Sequence, residues 1–154
     1  MQNDDLKTAL DPICKQMVQR YRDILAKDNI NASKQLSDTV SYEFTWNGSV
    51  FELYFVLQHY WKYIEYGTRP HFPPIEPIEK WIRIKPLIPK PYKGRVPTTR
   101  QLAFMIARKI SRVGTEAKHP LYQTINQSDD LIDQIEDILI KSIENQIDND
   151  IDTL

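Results

Sequence analysis

Hydrophobic and polar positions alternate most regularly between residues 40 and 55. Val40, Tyr42, Phe44 and Trp46 interleave with Ser41, Glu43 and Thr45; Asn47-Gly48 intervenes; then Phe51, Leu53 and Phe55 interleave with Glu52 and Tyr54. A period of two sends successive side chains to opposite faces of a strand, and Asn-Gly favours a two-residue type I′ turn, so the pattern predicts an antiparallel hairpin. That turn sets Trp46 opposite Ser49, Phe44 opposite Phe51, Tyr42 opposite Leu53 and Val40 opposite Phe55, with nearly every large apolar group on one buried face. A slip of one residue turns the whole set to solvent, so turn chemistry and side-chain pattern agree on the same element. The same register places Glu43 opposite Glu52, a mildly unfavourable pair that is either tolerated in water or met by a basic partner.

Helical spacing governs the two ends of the chain. Asp11-Pro12 suits a helix start, the aspartate as cap and the proline at the first helical position, and Ile13, Met17, Tyr21 and Ile24 follow on one face, predicting a helix over 12–28. Leu6 and Leu10 continue the stripe backwards, so the helix alternatively begins earlier with a bend at Pro12. Residues 29–36 read as a polar connection. Thr98 or Thr99 caps the next helix, where Gln101 can close a capping box with Thr98, Leu102, Ile106, Ile110 and Val113 form a stripe, and Gly114 ends that helix. Ser128 is positioned to cap a last helix over 129–148, with Ile132, Ile135, Leu139, Ile143 and Ile147 on one face, an acidic outer face, and a frayed end from Asp148.

Between these regions the stretch Tyr60–Pro74 changes character. Tyr60, Trp61, Tyr63 and Tyr66 stop at Gly67, and Arg69-Pro70 then forces an extended exit. Leu57–Tyr66 is either a short helix or a turn, and its aromatics either simply bury surface or offer one side to a partner. Residues 69–97 hold eight of the chain's 10 prolines, leaving room only for a short helix over Glu76–Lys85, where Ile78, Trp81 and Ile82 share a face. Lys90, Lys93 and Arg95 then lie on an exposed basic loop.

With 154 residues, 41% hydrophobic and 27% charged, the chain is long enough for a single domain and one sizeable core. Its polar, acidic start has no signal-peptide pattern, and no apolar run is long enough for a bilayer, predicting a soluble protein made in a cytoplasm without membrane contact. The single cysteine, Cys14, excludes an internal disulfide and a cysteine-rich metal site and reads as a small buried hydrophobe. The net charge of −1 hides a division: 6 basic and 8 acidic residues over 1–61, 13 and 4 over 62–118, and 1 and 9 over 119–154. A basic middle and an acidic end compensate within one subunit, across neighbouring subunits, or by facing separate partners. His59, His71 and His119 are scattered, and neither a phosphate loop, a serine elbow nor a cysteine pair is present. The pairing of His59 with Glu65 as base and orienter lacks a nucleophile and an anion hole beside it. These absences point away from an enzyme and from a cofactor or metal.

Ile64-Glu65-Tyr66-Gly67-Thr68-Arg69-Pro70-His71-Phe72-Pro73-Pro74-Ile75 resembles the head-tail joining, or tail-completion (neck), family of long-tailed bacteriophages, whose members carry a Glu-aromatic-Gly-Thr-Arg-Pro-His signature. The resemblance extends back to Asn31–Leu36 and forward through Leu102–Ile110, Gly114-Thr115 and His119-Pro120-Leu121, covering about residues 30–125. Leu121–Thr124 departs from it in lacking the second proline that usually follows the turn. What the resemblance implies is an α+β subunit with helices on a small antiparallel sheet, and a non-enzymatic virion protein. Such a protein forms a ring between the portal-connector stack and the tail, with phage DNA passing through the lumen. Glu65, Gly67, Thr68, Arg69, Pro70 and His71 then become motif and assembly residues.

Two charged faces gain a meaning in such a ring. Asp133, Glu136, Asp137 and Glu144 on the last helix can meet basic residues of a neighbouring subunit or neck protein. Arg100, Arg108, Lys109 and Arg112 either face DNA in the lumen or make an ordinary solvated helix face. A free-standing nucleic-acid-binding module built on Lys90, Lys93, Arg95 and the following helix is the competing class, and it needs the hairpin aromatics exposed for stacking. A tail-terminator protein shares the ring logic.

Overall fold

The computed structural model describes residues 3–28, 34–85, 87–91 and 93–152. The fold is α+β: helix α1 (Asn3–Lys27), a short α2 (Gln35–Thr39), strands β1 (Ser41–Trp46) and β2 (Phe51–Val56), then α3 (Trp61–Tyr66), α4 (Ile75–Ile84), α5 (Thr99–Val113), α6 (Pro120–Asn126) and α7 (Asp129–Asp152). Among the described residues no helix is long and apolar enough to cross a membrane.

Helix α1 is the axis of the body, and it does not start at Asp11. It begins at Asn3, the earlier of the two starts the stripe allows, and continues past Pro12, which lies on the exposed side. An internal proline costs about 3 kcal/mol, whereas burying two leucines contributes about 1.5–3 kcal/mol each, so Leu6 and Leu10, both buried, carry the helix past it. Asp11 is consequently no cap. Its carboxylate accepts a hydrogen bond from the Tyr42 hydroxyl and pairs with Lys15 at 2.6 Å, tying α1 to β1. Those two hydrogen bonds hold the Asp11 carboxyl below its ordinary range, while burial and the Asp11 contact push the Tyr42 phenol up to about 12.

One side of α1, through Leu6, Leu10, Ile13 and Met17, packs on Leu131 and Ile135 of α7 and on the apolar face of the hairpin. The other, through Val18, Tyr21 and Leu25, packs on Leu36, Val40 and the α3 aromatics. Cys14 is fully buried, and burial followed by the nearby Asp11 charge pushes its thiol up to about 11. Arg20 clamps the start of α7 through two bonds to Asp130, at 2.6 and 2.7 Å. The polar connection expected over 29–36 lies outside the described residues as far as 33, and from Gln35 the chain is helical.

The hairpin forms, but in another register. Trp46 faces Phe51, Phe44 faces Leu53 and Tyr42 faces Phe55, two residues from the expected pairing. The loop is Asn47–Val50, because the Asn47 side-chain carbonyl accepts the Ser49 and Val50 amides at 3.0 and 2.8 Å and so builds a longer turn. A shift of two preserves both faces, so alternation cannot distinguish the registers. The Glu43–Glu52 pair therefore does not form: Glu43 faces Tyr54, and Glu52 accepts from the Tyr54 and Thr45 hydroxyls. The sheet stays two-stranded among the described residues, and its apolar face is half-buried.

Helix α5 follows its capping chemistry more closely than its apolar stripe. The Thr98–Gln101 capping box starts α5 and Gly114 ends it. Its buried face centres on Ala103 and Ala107, small residues that let α4 approach, and Val113 is exposed. Ser128 is buried, and its hydroxyl donates back to the Thr124 carbonyl at 2.7 Å instead of capping α7. Leu131, Ile135 and Ser142 are buried on α7 and Ile138 and Leu139 pack against the core, whereas Ile147 is exposed, and the helix continues to Asp152 without fraying at Asp148.

Candidate functional site

Two stretches 47 residues apart, Gly67-Thr68 and Gly114-Thr115, meet in the fold. The Thr68 amide donates to the Thr115 carbonyl at 3.1 Å and the Thr115 amide to the Thr68 carbonyl at 3.2 Å, while the two hydroxyls lie 3.0 Å apart. The glycines permit this approach: a Cβ on Gly67 would sit 2.3 Å from the Thr115 carbonyl oxygen, and one on Gly114 1.9 Å from that of Thr68. Both also hold positive φ, 70° and 73°.

Glu65 locks the clasp from beneath. It is 4% exposed, and its carboxylate accepts the Leu121 amide at 2.8 Å and the Tyr122 amide at 3.1 Å. Those are the first amides of α6, since Pro120 has none to give. Around it the Lys118 and His119 amides donate to the carbonyls of Ile64 and Glu65. His59 is exposed and meets Tyr60 edge-on, so Glu65 serves as an anchor of the chain and not as an orienter for His59.

The resemblance motif thus divides. Glu65, Gly67 and Thr68 are internal architecture, whereas Arg69, Pro70 and His71 lie on the surface beside Tyr63, with His71 Nδ1 2.9 Å from the Arg69 carbonyl. No family model, curated protein or solved structure matches this chain.

The clasp closes residues 69–113 into one excursion from the body. That excursion carries 11 of the chain's 20 basic residues but 2 of its 21 acidic ones, a charge of +9 against −10 for the remainder. Arg100, Arg108, Lys109 and Arg112 are all exposed on α5, and between them lie Phe104 and Met105, each about half exposed. Phe104 meets Phe72 of the arm, with ring centroids 6.0 Å apart. The face is therefore mixed, cationic and apolar. Asp133, Glu136, Asp137 and Glu144 are exposed on α7, on the body side of the clasp.

Of the hairpin aromatics needed for base stacking, Phe44, Trp46, Phe51 and Phe55 sit half-buried against α1 and α7, and Tyr54 is exposed. Between the hairpin, α3, α6 and α7 an open apolar groove of about 650 Å³ remains, with Glu136 at its edge. Periodicity does not disclose a groove of this kind. The repeated Gly-Thr dipeptide was the one sequence signal that could have found the clasp.

Proposed function

We propose that this chain is a non-enzymatic structural subunit of a bacteriophage neck. It forms a ring between the portal-connector and the tail, sealing the joint while DNA passes through the lumen. It is made in the host cytoplasm and ends in the virion. The observation that carries this reading is the division of charge across the clasp, +9 in residues 69–113 and −10 in the remainder. Opposite charges on different faces of one subunit favour a head-to-tail contact, and head-to-tail contacts close into rings when the rotation closes. The Glu-Tyr-Gly-Thr-Arg-Pro-His resemblance supplies the place where such a ring works.

Reversing Glu136 and Asp137 to lysine tests the contact. The expected result is loss of ring assembly on purified portal-connector complexes at low salt, with the monomer's thermal melt unchanged because both side chains are exposed. Unchanged assembly with unchanged salt dependence contradicts the contact. Occupancy of purified tail tubes in place of connectors moves the subunit to the tail-terminator position.

Within the lumen, Arg100, Arg108, Lys109 and Arg112 offer phosphate contacts to passing DNA. Neutralising Arg108 and Arg112 lowers the slope of log affinity against log salt for duplex DNA by about 2. A slope that does not move removes these residues from the lumen.

A further inference from the structure

The chain carries both an apolar hole and an apolar knob that do not meet within one subunit. The hole is the groove on the body, floored by Phe51, Leu53, Leu57, Trp61 and Leu139 and flanked by Ile125. The knob is on the arm between α4 and α5, where Ile88 is 93% exposed and Leu87 39%. Pro89 and Lys90 lie along their own α5 beside Leu102 and Met105.

We propose that Leu87 and Ile88 of one copy seat in the body groove of the next, a contact that rests on the ring reading. Three observations select a second copy as the occupant. Ile88, among the most exposed large hydrophobes, gains burial only outside its own subunit. The knob is flanked by exposed Lys90, and the groove edge carries Glu136 with Asp133 beside it on α7, so the charges around the apolar pair are complementary. Pro89 and Pro91 follow the pair in sequence, and the fixed φ of proline limits the freedom that the segment loses on docking. Knob and hole are different surfaces of the same chain, so the contact is head-to-tail.

The test mixes two full-length single variants, Ile88→Cys and Ile125→Cys, and adds a short bismaleimide cross-linker at a concentration where the parent chain associates. Cys14 is fully buried and does not compete. The expected product is a chain-to-chain adduct in the mixture, absent from Ile125→Cys alone. Separately, Ile88→Asp weakens association about ten- to a hundredfold, the range for burying one such side chain, with an unchanged melt. A ring that forms without an 88–125 adduct, and equally well with Ile88→Asp, overturns the contact and leaves the ring reading standing. An adduct in dimers or open chains that never close supports the contact and overturns the ring. Coupling of position 125 to a connector protein in place of position 88 overturns the contact in favour of that occupant. Absence of any association overturns both.

Discussion

Gly114→Ala destabilises the fold by about 3 kcal/mol or more, while Gly48→Ala costs about 1 kcal/mol. Both positions hold positive φ, and at Gly114 a ψ of −159° adds backbone strain of its own. They differ in surroundings. A Cβ at Gly48 meets nothing within 4 Å, whereas at Gly114 it falls 1.9 Å from the Thr68 carbonyl oxygen, a backbone atom that cannot rotate aside. Relief requires separating Thr68 from Thr115, which forfeits two backbone hydrogen bonds of about 1 kcal/mol each. Urea unfolding of the two variants checks the difference. Equal losses contradict a steric clasp at this point.

Glu65→Ala is the second large effect, at about 2–4 kcal/mol. The substitution leaves the Leu121 and Tyr122 amides at the start of α6 without their acceptor in a site from which water is largely excluded. Glu65→Gln keeps one carbonyl oxygen and turns an NH₂ group toward the other amide, so it falls between alanine and the parent. Hydrogen exchange gives the more specific readout: protection at Leu121 and Tyr122 falls first, and loss spreads to Thr68 and Thr115 through the shared clasp. Protection that survives at both amides would mean that Glu65 does not hold α6.

The split between what was legible in the sequence and what was not follows the range of the interactions. Local chemistry was readable: the Thr98–Gln101 capping box, the stops at Gly67 and Gly114, the short helix over 75–84 and the existence of the hairpin each depend on residues a few positions apart. Choices between near-degenerate alternatives were not. The Asn47 side chain selected a four-residue loop over a two-residue one, and Leu6 and Leu10 outweighed the helix-breaking tendency of Pro12. On α5 the close approach of α4 favoured Ala103 and Ala107 over Val113, whereas on α7 Ile135 and Leu139 of the expected stripe pack inward and Ile147 lies exposed. The clasp joins residues 47 apart through backbone atoms, so no side-chain pattern announces it beyond the repeated Gly-Thr.

The same clasp changes how the charges are understood. In the linear sequence the basic middle and acidic end are simply consecutive. In the fold, the Thr68–Thr115 bridge gathers most of the basic residues into one excursion, while the acidic helix α7 packs on α1 in the body. Arg20–Asp130 pairs one α7 carboxylate internally, but Asp133, Glu136, Asp137 and Glu144 remain on the surface. Attraction between such faces across subunits is screened by salt over about 10 Å at 0.1 M, whereas apolar docking of the arm is not, so the two contributions separate by ionic strength.

Solution mass by light scattering behind a sizing column, at low and high salt and with and without portal-connector complexes, tests the head-to-tail assembly most directly. The predicted result is a closed species of several 18.2 kDa subunits, alone or on the connector, that loosens as salt rises. A persistent 18.2 kDa monomer under every condition, indifferent to the connector, contradicts it.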